Sequence, residues 1–162
     1  MKRMICIILL LGMILSGCGV NGDRVKDPVV FYYVRDNYQK DMGAVFDSEV
    51  REAAGHTKDL AYLLALYTMG PSKEELHSPL PRGTTVTPGE LTAEGVILTL
   101  SEHAVNMAEA EYTLASACLG MTVMELMEVP SVTVICGDRS ITINGDNLVL
   151  QDPSPAKPIG GK

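Results

Sequence analysis

Two segments with helical periodicity, each flanked by pairs of β-branched or aromatic runs, constrain this fold more than any other feature of the sequence. The first helical segment has apolar residues at the spacing of one helix face: Leu60, Leu63, Leu64 and Tyr67. Gly70-Pro71 ends it, because Gly favours the left-handed conformation after a helix and Pro cannot continue one. The second helical segment ends before Pro130.

Each predicted helix has a candidate N-cap. Thr57 is predicted to cap the first helix, with Asp59 in its first turn, where the helix dipole favours a carboxylate. Asn106 is predicted to cap the second. Gly120 and Thr122 weaken the helical pattern, so the sequence leaves open whether the second segment is one helix or two.

Short runs with strand composition lie before, between and after the helices. The predicted strands are 29–34, 45–50, 84–91, 95–100, 132–136 and 140–143, with a further short strand at 148–150. The order ββαββαββ predicts an α+β fold, a two-layer sandwich in which both helices pack on one face of a largely antiparallel sheet. The predicted core contains Phe31, Tyr33, Leu60, Leu63, Leu64, Tyr67, Ile97, Leu114, Leu119 and Val134.

The N-terminus is predicted to be an export and anchoring signal. Lys2 and Arg3 precede an apolar run from Met4 to Leu15, which is typical of a signal peptide and too short to span a membrane. Leu15-Ser16-Gly17-Cys18 resembles the lipobox of bacterial lipoproteins, in which the cysteine thiol takes a diacylglyceryl group. We predict a signal peptide over 1–17, lipidation of Cys18 and a tether over 18–28. A plain cleaved signal is the alternative.

The remaining chain has the composition of one acidic extracytoplasmic domain. Residues 18–162 contain eleven Lys and Arg against twenty Asp and Glu, a net charge of −9. This excess of negative charge, without any basic cluster, argues against a nucleic-acid partner. The domain is predicted over 29–152, with a flexible tail over 153–162. Cys118 and Cys136 are predicted to be buried thiols, with a single disulfide as the alternative.

No catalytic motif stands out. The sequence lacks a Gly-rich phosphate loop, a G-x-S-x-G elbow and an H-E-x-x-H pair. The stretch Glu74 to His77 holds one E-x-x-H, which we interpret as a solvated loop. Ser101-Glu102-His103 holds the residue types of a triad, but adjacent side chains point in different directions, so Ser101 is predicted to be a turn or cap residue. We therefore predict no catalytic residues, no metal site and no cofactor, and a protein that is not an enzyme.

The stretch from the end of the first helix into the next strand resembles a known family. After Gly70-Pro71, the loop ends in Pro79-Leu80-Pro81-Arg82-Gly83-Thr84. This combination resembles the signature of the GerM domain, and the resemblance extends over about residues 29–150. It implies a role in sporulation, spore germination or the cell envelope of Gram-positive bacteria, and similarity to the ring-building domains of sporulation complexes. The motif residues predicted to be structural are Gly70, Pro71, Pro79, Leu80, Pro81, Gly83 and Thr84.

Two functional hypotheses follow. The first is a non-catalytic interaction or assembly module, anchored to the membrane by its lipid, that contacts other envelope or sporulation proteins through a sheet face or an edge strand. Homo-oligomerisation is left open. The alternative is a sensor or ligand-binding module for cell-wall fragments or germinants, with Tyr32, Arg35, Arg82 and Arg139 as candidate contacts. An envelope hydrolase ranks third.

Overall fold

The computed structural model describes residues 25–38 and 44–147, which form seven strands and two α-helices. In chain order the elements are β1 (Pro28–Arg35), β2 (Phe46–Glu52), α1 (Leu60–Thr68), β3 (Leu76–His77), β4 (Val86–Pro88), β5 (Val96–Leu100), a 3₁₀ helix (Glu102–Ala104), α2 (Glu109–Met127), β6 (Ser131–Cys136) and β7 (Arg139–Asn144). The predicted α+β class is confirmed. The predicted signal peptide, the Cys18 lipidation site, the strand at 148–150 and the tail lie outside the described residues.

The strands divide into two sheets, whereas the sequence predicted one. The first sheet has the order β2-β1-β3 and is antiparallel throughout. The second has the order β4-β5-β6-β7 and is antiparallel except between β5 and β6. That parallel pair follows from the chain path, because α2 is the crossover that returns the chain to the same end of the sheet.

The edge of β1 is closed by side chains of the two helices, which explains the division into two sheets. β3 pairs with β1 only at Val34 and Arg35. Farther along this edge, the Tyr32 amide donates to Thr122 Oγ1 on α2 at 3.0 Å. The Tyr67 hydroxyl on α1 donates to the Tyr32 carbonyl oxygen at 3.1 Å. Both outward backbone groups of Tyr32 therefore have partners, and no strand is needed there.

Helix α1 begins two residues later than predicted. Asp59 is the N-cap, and its carboxylate accepts the backbone N–H of Tyr62 at 3.1 Å. Thr57 is therefore not the cap, because the chain is still turning at that point, with the Asp59 amide bonded to the His56 carbonyl oxygen at 3.0 Å. The four predicted apolar positions of this helix are all buried.

Helix α2 is continuous through Gly120 and Thr122, so these residues do not split it. A Cβ at Gly120 would lie 2.6 Å from Ile143 Cγ2, and the glycine therefore permits close packing of α2 on β7. The N-cap is Ala108 rather than Asn106, because Glu111 reaches back to accept the Ala108 amide at 3.0 Å.

The core is nearly the predicted one, with one clear error. Ile97 was predicted to be buried, but 49% of it is exposed, because Leu98, one residue on, faces α2 instead. Leu114 is only partly buried and packs against the core. The Tyr33 and Tyr67 rings stack with their centroids 4.8 Å apart, and the Tyr33 hydroxyl donates to the Tyr67 carbonyl oxygen at 3.1 Å.

Candidate interaction surface

The loop after Gly70-Pro71 is held by a buried carboxylate of β2. Glu49 on β2 is 3% exposed, and its Oε2 accepts the amides of Ser72 at 2.8 Å and Lys73 at 3.1 Å. Its Oε1 pairs with Arg51 Nη1 at 2.9 Å, and the same nitrogen donates to the Gly70 carbonyl oxygen at 3.0 Å. Alternation along β2 groups Glu49 with the charged Asp47 and Arg51, so only its register opposite buried Phe31 reveals the burial.

The second half of the motif returns the chain to the second sheet. Leu80 is buried, and the Thr84 amide donates to the Pro81 carbonyl oxygen at 3.1 Å. Gly83 has a φ of +83°, and a Cβ there would lie 3.3 Å from the His103 ring. Pro79 and Pro81 line a cavity of about 370 Å³ together with Leu80. These contacts connect the motif loop, its final turn and the second sheet. They are the contacts expected if the motif residues have a structural role.

The candidate contacts for a ligand occupy different elements and have different partners. The Arg139 guanidinium donates to the carbonyl oxygens of Met107 and Val105, both at 2.9 Å, and lies 4.4 Å from the Tyr112 ring centroid. It therefore holds the segment before α2 against β7. Tyr32 donates its hydroxyl proton to Glu125 on α2. Arg35 ends β1, and Arg82 is exposed in the motif loop.

The catalytic residue types form no working constellation in the part of the chain that the structure describes. The Ser101 hydroxyl accepts the Thr85 amide at 3.0 Å, and the residue precedes the 3₁₀ helix. His77 Nδ1 contacts Asp36 Oδ1 at 2.7 Å on the surface. Residues 25–38 and 44–147 contain no group of three potential metal ligands.

Both described cysteines are buried and unpaired, as predicted. Burial raises the pKa of the Cys118 thiol well above its ordinary value, because the thiolate would lose its hydration there. Cys118 is therefore a protonated thiol at neutral pH and a poor nucleophile. Its role in the described structure is to fill the core beside Tyr67.

Side chains occupy part of the outward backbone of the edge strands. On β2, the outward amide of Ser48 donates to Asp47 Oδ1 at 2.7 Å, and its carbonyl oxygen accepts Lys73 Nζ at 2.8 Å. On β7, Asn147 Nδ2 donates to the Thr142 carbonyl oxygen at 2.7 Å. β4 ends in Pro88, which has no N–H. Such contacts hinder the addition of a further strand at these positions, and the contact through an edge strand stays a prediction.

The second sheet has one face without charge. Strand alternation buries Val96, Leu98 and Leu100 and turns the intervening side chains away from α2. We call the opposite side of this sheet the outer face, and its residues are Thr87, Ile97, Thr99, Thr133, Ile135, Ser140 and Thr142. The Thr133 and Thr142 hydroxyls lie 2.9 Å apart across β6 and β7.

An acidic rim borders this outer face. A cavity of about 350 Å³ opens beside Ile97 and Thr133, and Glu90 and Glu94 line its other side. Within residues 25–38 and 44–147, neither carboxylate has an ion pair or a hydrogen bond. These two carboxylates therefore make this border of the outer face negative.

Comparison with known proteins gives structural neighbours only. No protein-family model matches the sequence, and no curated protein matches it either. The first GerMN domain of the sporulation protein GerM from Bacillus subtilis is 14% identical, with a TM-score of 0.49, covering 70% of this chain and 85% of that one. The tandem GerMN domains of the same protein are 16% identical, with a TM-score of 0.48 and coverage of 70% and 40%.

A third neighbour is a Clostridium perfringens protein described as an inferred lipoprotein. It is 15% identical, with a TM-score of 0.45, covering 78% of this chain and 93% of that one. Two of the three structures thus hold GerMN domains, the family whose signature the Gly70-Pro71 motif resembles. With identities of 14–16% and TM-scores below 0.5, these likenesses assign no function to this chain. Neither described helix is long and apolar enough to cross a bilayer.

Proposed function

We propose that this protein is an extracytoplasmic lipoprotein whose GerM-like domain is a non-catalytic interaction module of the cell envelope, in sporulation or germination. Lipidation of Cys18 would hold it at the membrane, with residues 18–28 as a tether. The supporting observation for the interaction role is the outer face, which presents half-exposed Ile97 among hydroxyl side chains, while side chains occupy part of the sheet edges.

The chemistry of the outer face suits protein contact. An uncharged patch bordered on one side by Glu90 and Glu94 resembles part of the core and rim of a protein–protein interface. The neighbouring carboxylates repel nucleic acid and an anionic membrane surface, and they favour a partner with basic residues at the rim of its contact. The proposal of a role in sporulation or germination is supported by the motif resemblance and by the structural neighbours from GerM, which is a sporulation protein.

A matched pair of variants of the full-length protein tests the use of the outer face. Ile97→Glu places a charge in the middle of the face, whereas Met69→Glu places one at a position that is 77% exposed and lies after α1. After chemical crosslinking in cells, we expect recovery of specific envelope partners to fall about tenfold for Ile97→Glu and to stay unchanged for Met69→Glu. Equal recovery of partners by both variants would contradict the use of the outer face for binding.

Anchoring is tested separately. Metabolic labelling with an alkyne fatty acid is expected to mark the wild-type protein in the membrane fraction, and Cys18→Ala is expected to abolish the label and release the protein from that fraction. Labelling that persists in Cys18→Ala would place the lipid elsewhere and overturn the lipobox interpretation.

A further inference from the structure

A second cavity, of about 380 Å³, lies between the first sheet and α2, on different strands from the outer face. Its apolar lining comes from Tyr32, Phe46, Met121 and Met124. Tyrosine and phenylalanine rings offer electron-rich faces that attract cations, and methionine side chains adapt to the shape of what they contact.

Two carboxylates line the same cavity. Glu125 is held in place by the Tyr32 hydroxyl, which donates to its Oε2 at 2.7 Å, and Asp47 is held by the Ser48 amide at the same distance. Among the described residues, neither carboxylate forms an ion pair. Lys73 comes near through its bond to the Ser48 carbonyl oxygen, but it neither lines the cavity nor pairs with Asp47.

We propose that this cavity binds an organic cation that carries a short alkyl stem, namely an alkylammonium group. The stem would contact the methionines and Phe46, while the ammonium lies between Asp47 and Glu125 and within reach of the Tyr32 ring. An anion is disfavoured because both charged lining residues are negative. A bare metal ion is disfavoured because most of the lining is apolar and two carboxylates supply too few oxygen ligands. This site is independent of the proposed contact through the outer face.

The test uses the full-length protein in detergent, labelled with ¹³C at the methionine methyl groups and assigned by Met121→Leu and Met124→Leu. The probes are n-hexylammonium and N-acetyl-lysine methylamide at 150 mM salt, with 1-hexanol as the uncharged analogue. We expect saturable shifts of the Met121 and Met124 methyl signals with both amines and much weaker binding of 1-hexanol. The probe that binds more tightly shows whether the alkylammonium group comes from a free amine or from a lysine side chain.

The matched variants are Glu125→Gln and Glu128→Gln. Both residues are exposed and lie at the end of α2, but Glu128 does not line the cavity. We expect Glu125→Gln to weaken amine binding about five- to tenfold and Glu128→Gln to leave it unchanged. Equal weakening by both variants, equal binding of 1-hexanol, or the absence of saturable shifts at both methionines would each overturn the proposal.

Discussion

Removing the charge of Glu49 is expected to destabilise the domain strongly, although the residue lies on a strand that also carries exposed acids. The carboxylate is almost fully buried and accepts three hydrogen bonds, from Arg51 and from the amides of Ser72 and Lys73. In Glu49→Gln, one oxygen remains as an acceptor, while the new NH₂ group faces donors. At least one backbone amide or the guanidinium therefore loses its partner.

The magnitude follows from the nature of these bonds. A hydrogen bond to a charged group contributes about 1.5–3 kcal/mol, and an unsatisfied buried group costs a similar amount. The Arg51 side chain is 19% exposed, so water can hydrate its guanidinium in part when the bond to Glu49 is lost. We therefore expect Glu49→Gln to lower the free energy of unfolding by about 2–3 kcal/mol. For a domain of this size that corresponds to a fall in Tm of about 8–12 °C.

Urea and thermal unfolding followed by far-UV circular dichroism measure this effect. Glu52→Gln is the matched control, because Glu52 lies on the same strand but is exposed, and it is expected to stay within about 0.5 kcal/mol of the wild type. A Glu49→Gln variant as stable as Glu52→Gln would refute the conclusion that the carboxylate holds the Gly70-Pro71 loop.

Three further predictions concern packing, titration and the sheet edge. Gly120→Ala is expected to cost about 1–3 kcal/mol in a urea titration, because the new methyl group meets Ile143; a stabilised variant would contradict the close packing of α2 on β7. The Tyr32 pKa is raised to about 12, mainly by the hydrogen bond of its hydroxyl to Glu125, so this bond contributes fully to stability below pH 10 and its contribution is lost as the pH rises towards 12. In an alkaline titration followed by absorbance at 295 nm, we expect Tyr32→Phe to lack one late-ionising group. A titration curve identical to that of the wild type would argue against the bond. Replacing both Asp47 and Lys73 by Ala is expected to free the outward backbone groups of Ser48 on β2 and to increase self-association, measured by sedimentation velocity. An unchanged sedimentation coefficient at high protein concentration would show that these two side chains do not protect the edge.

Most elements could be predicted from the sequence because their signals are local. The apolar stripe of α1 and the β-branched runs of β1 and β6 needed only periodicity and composition. The helix caps were displaced by two residues because the deciding contacts, from the Asp59 and Glu111 carboxylates, depend on where the first turn closes.

The two sheets could not be predicted because they depend on contacts distant in sequence. The partners of the Tyr32 backbone come from Thr122 and Tyr67, which lie 90 and 35 residues away. The same holds for Gly120, whose place inside a helix is explained only by its approach to β7.

The candidate surface was missed by the sequence analysis for a related reason. Ile97 was assigned to the core because it sits in a continuous apolar run, where alternation is masked by apolar neighbours on both sides. Only the register with Thr133 assigns it to the exposed face. The signal that was available is Thr99, which lies two residues after Ile97 and therefore on the same face of β5, as is typical of a strand with one solvated face.

Site-specific photocrosslinking in living cells shows whether partner proteins bind the outer face. A photoreactive amino acid at Ile97 or Thr142 samples the outer face, and one at Ser48 samples the β2 edge. We expect discrete crosslinked products from both face positions and none above background from Ser48. Crosslinks confined to Ser48, with none at either face position, would contradict it.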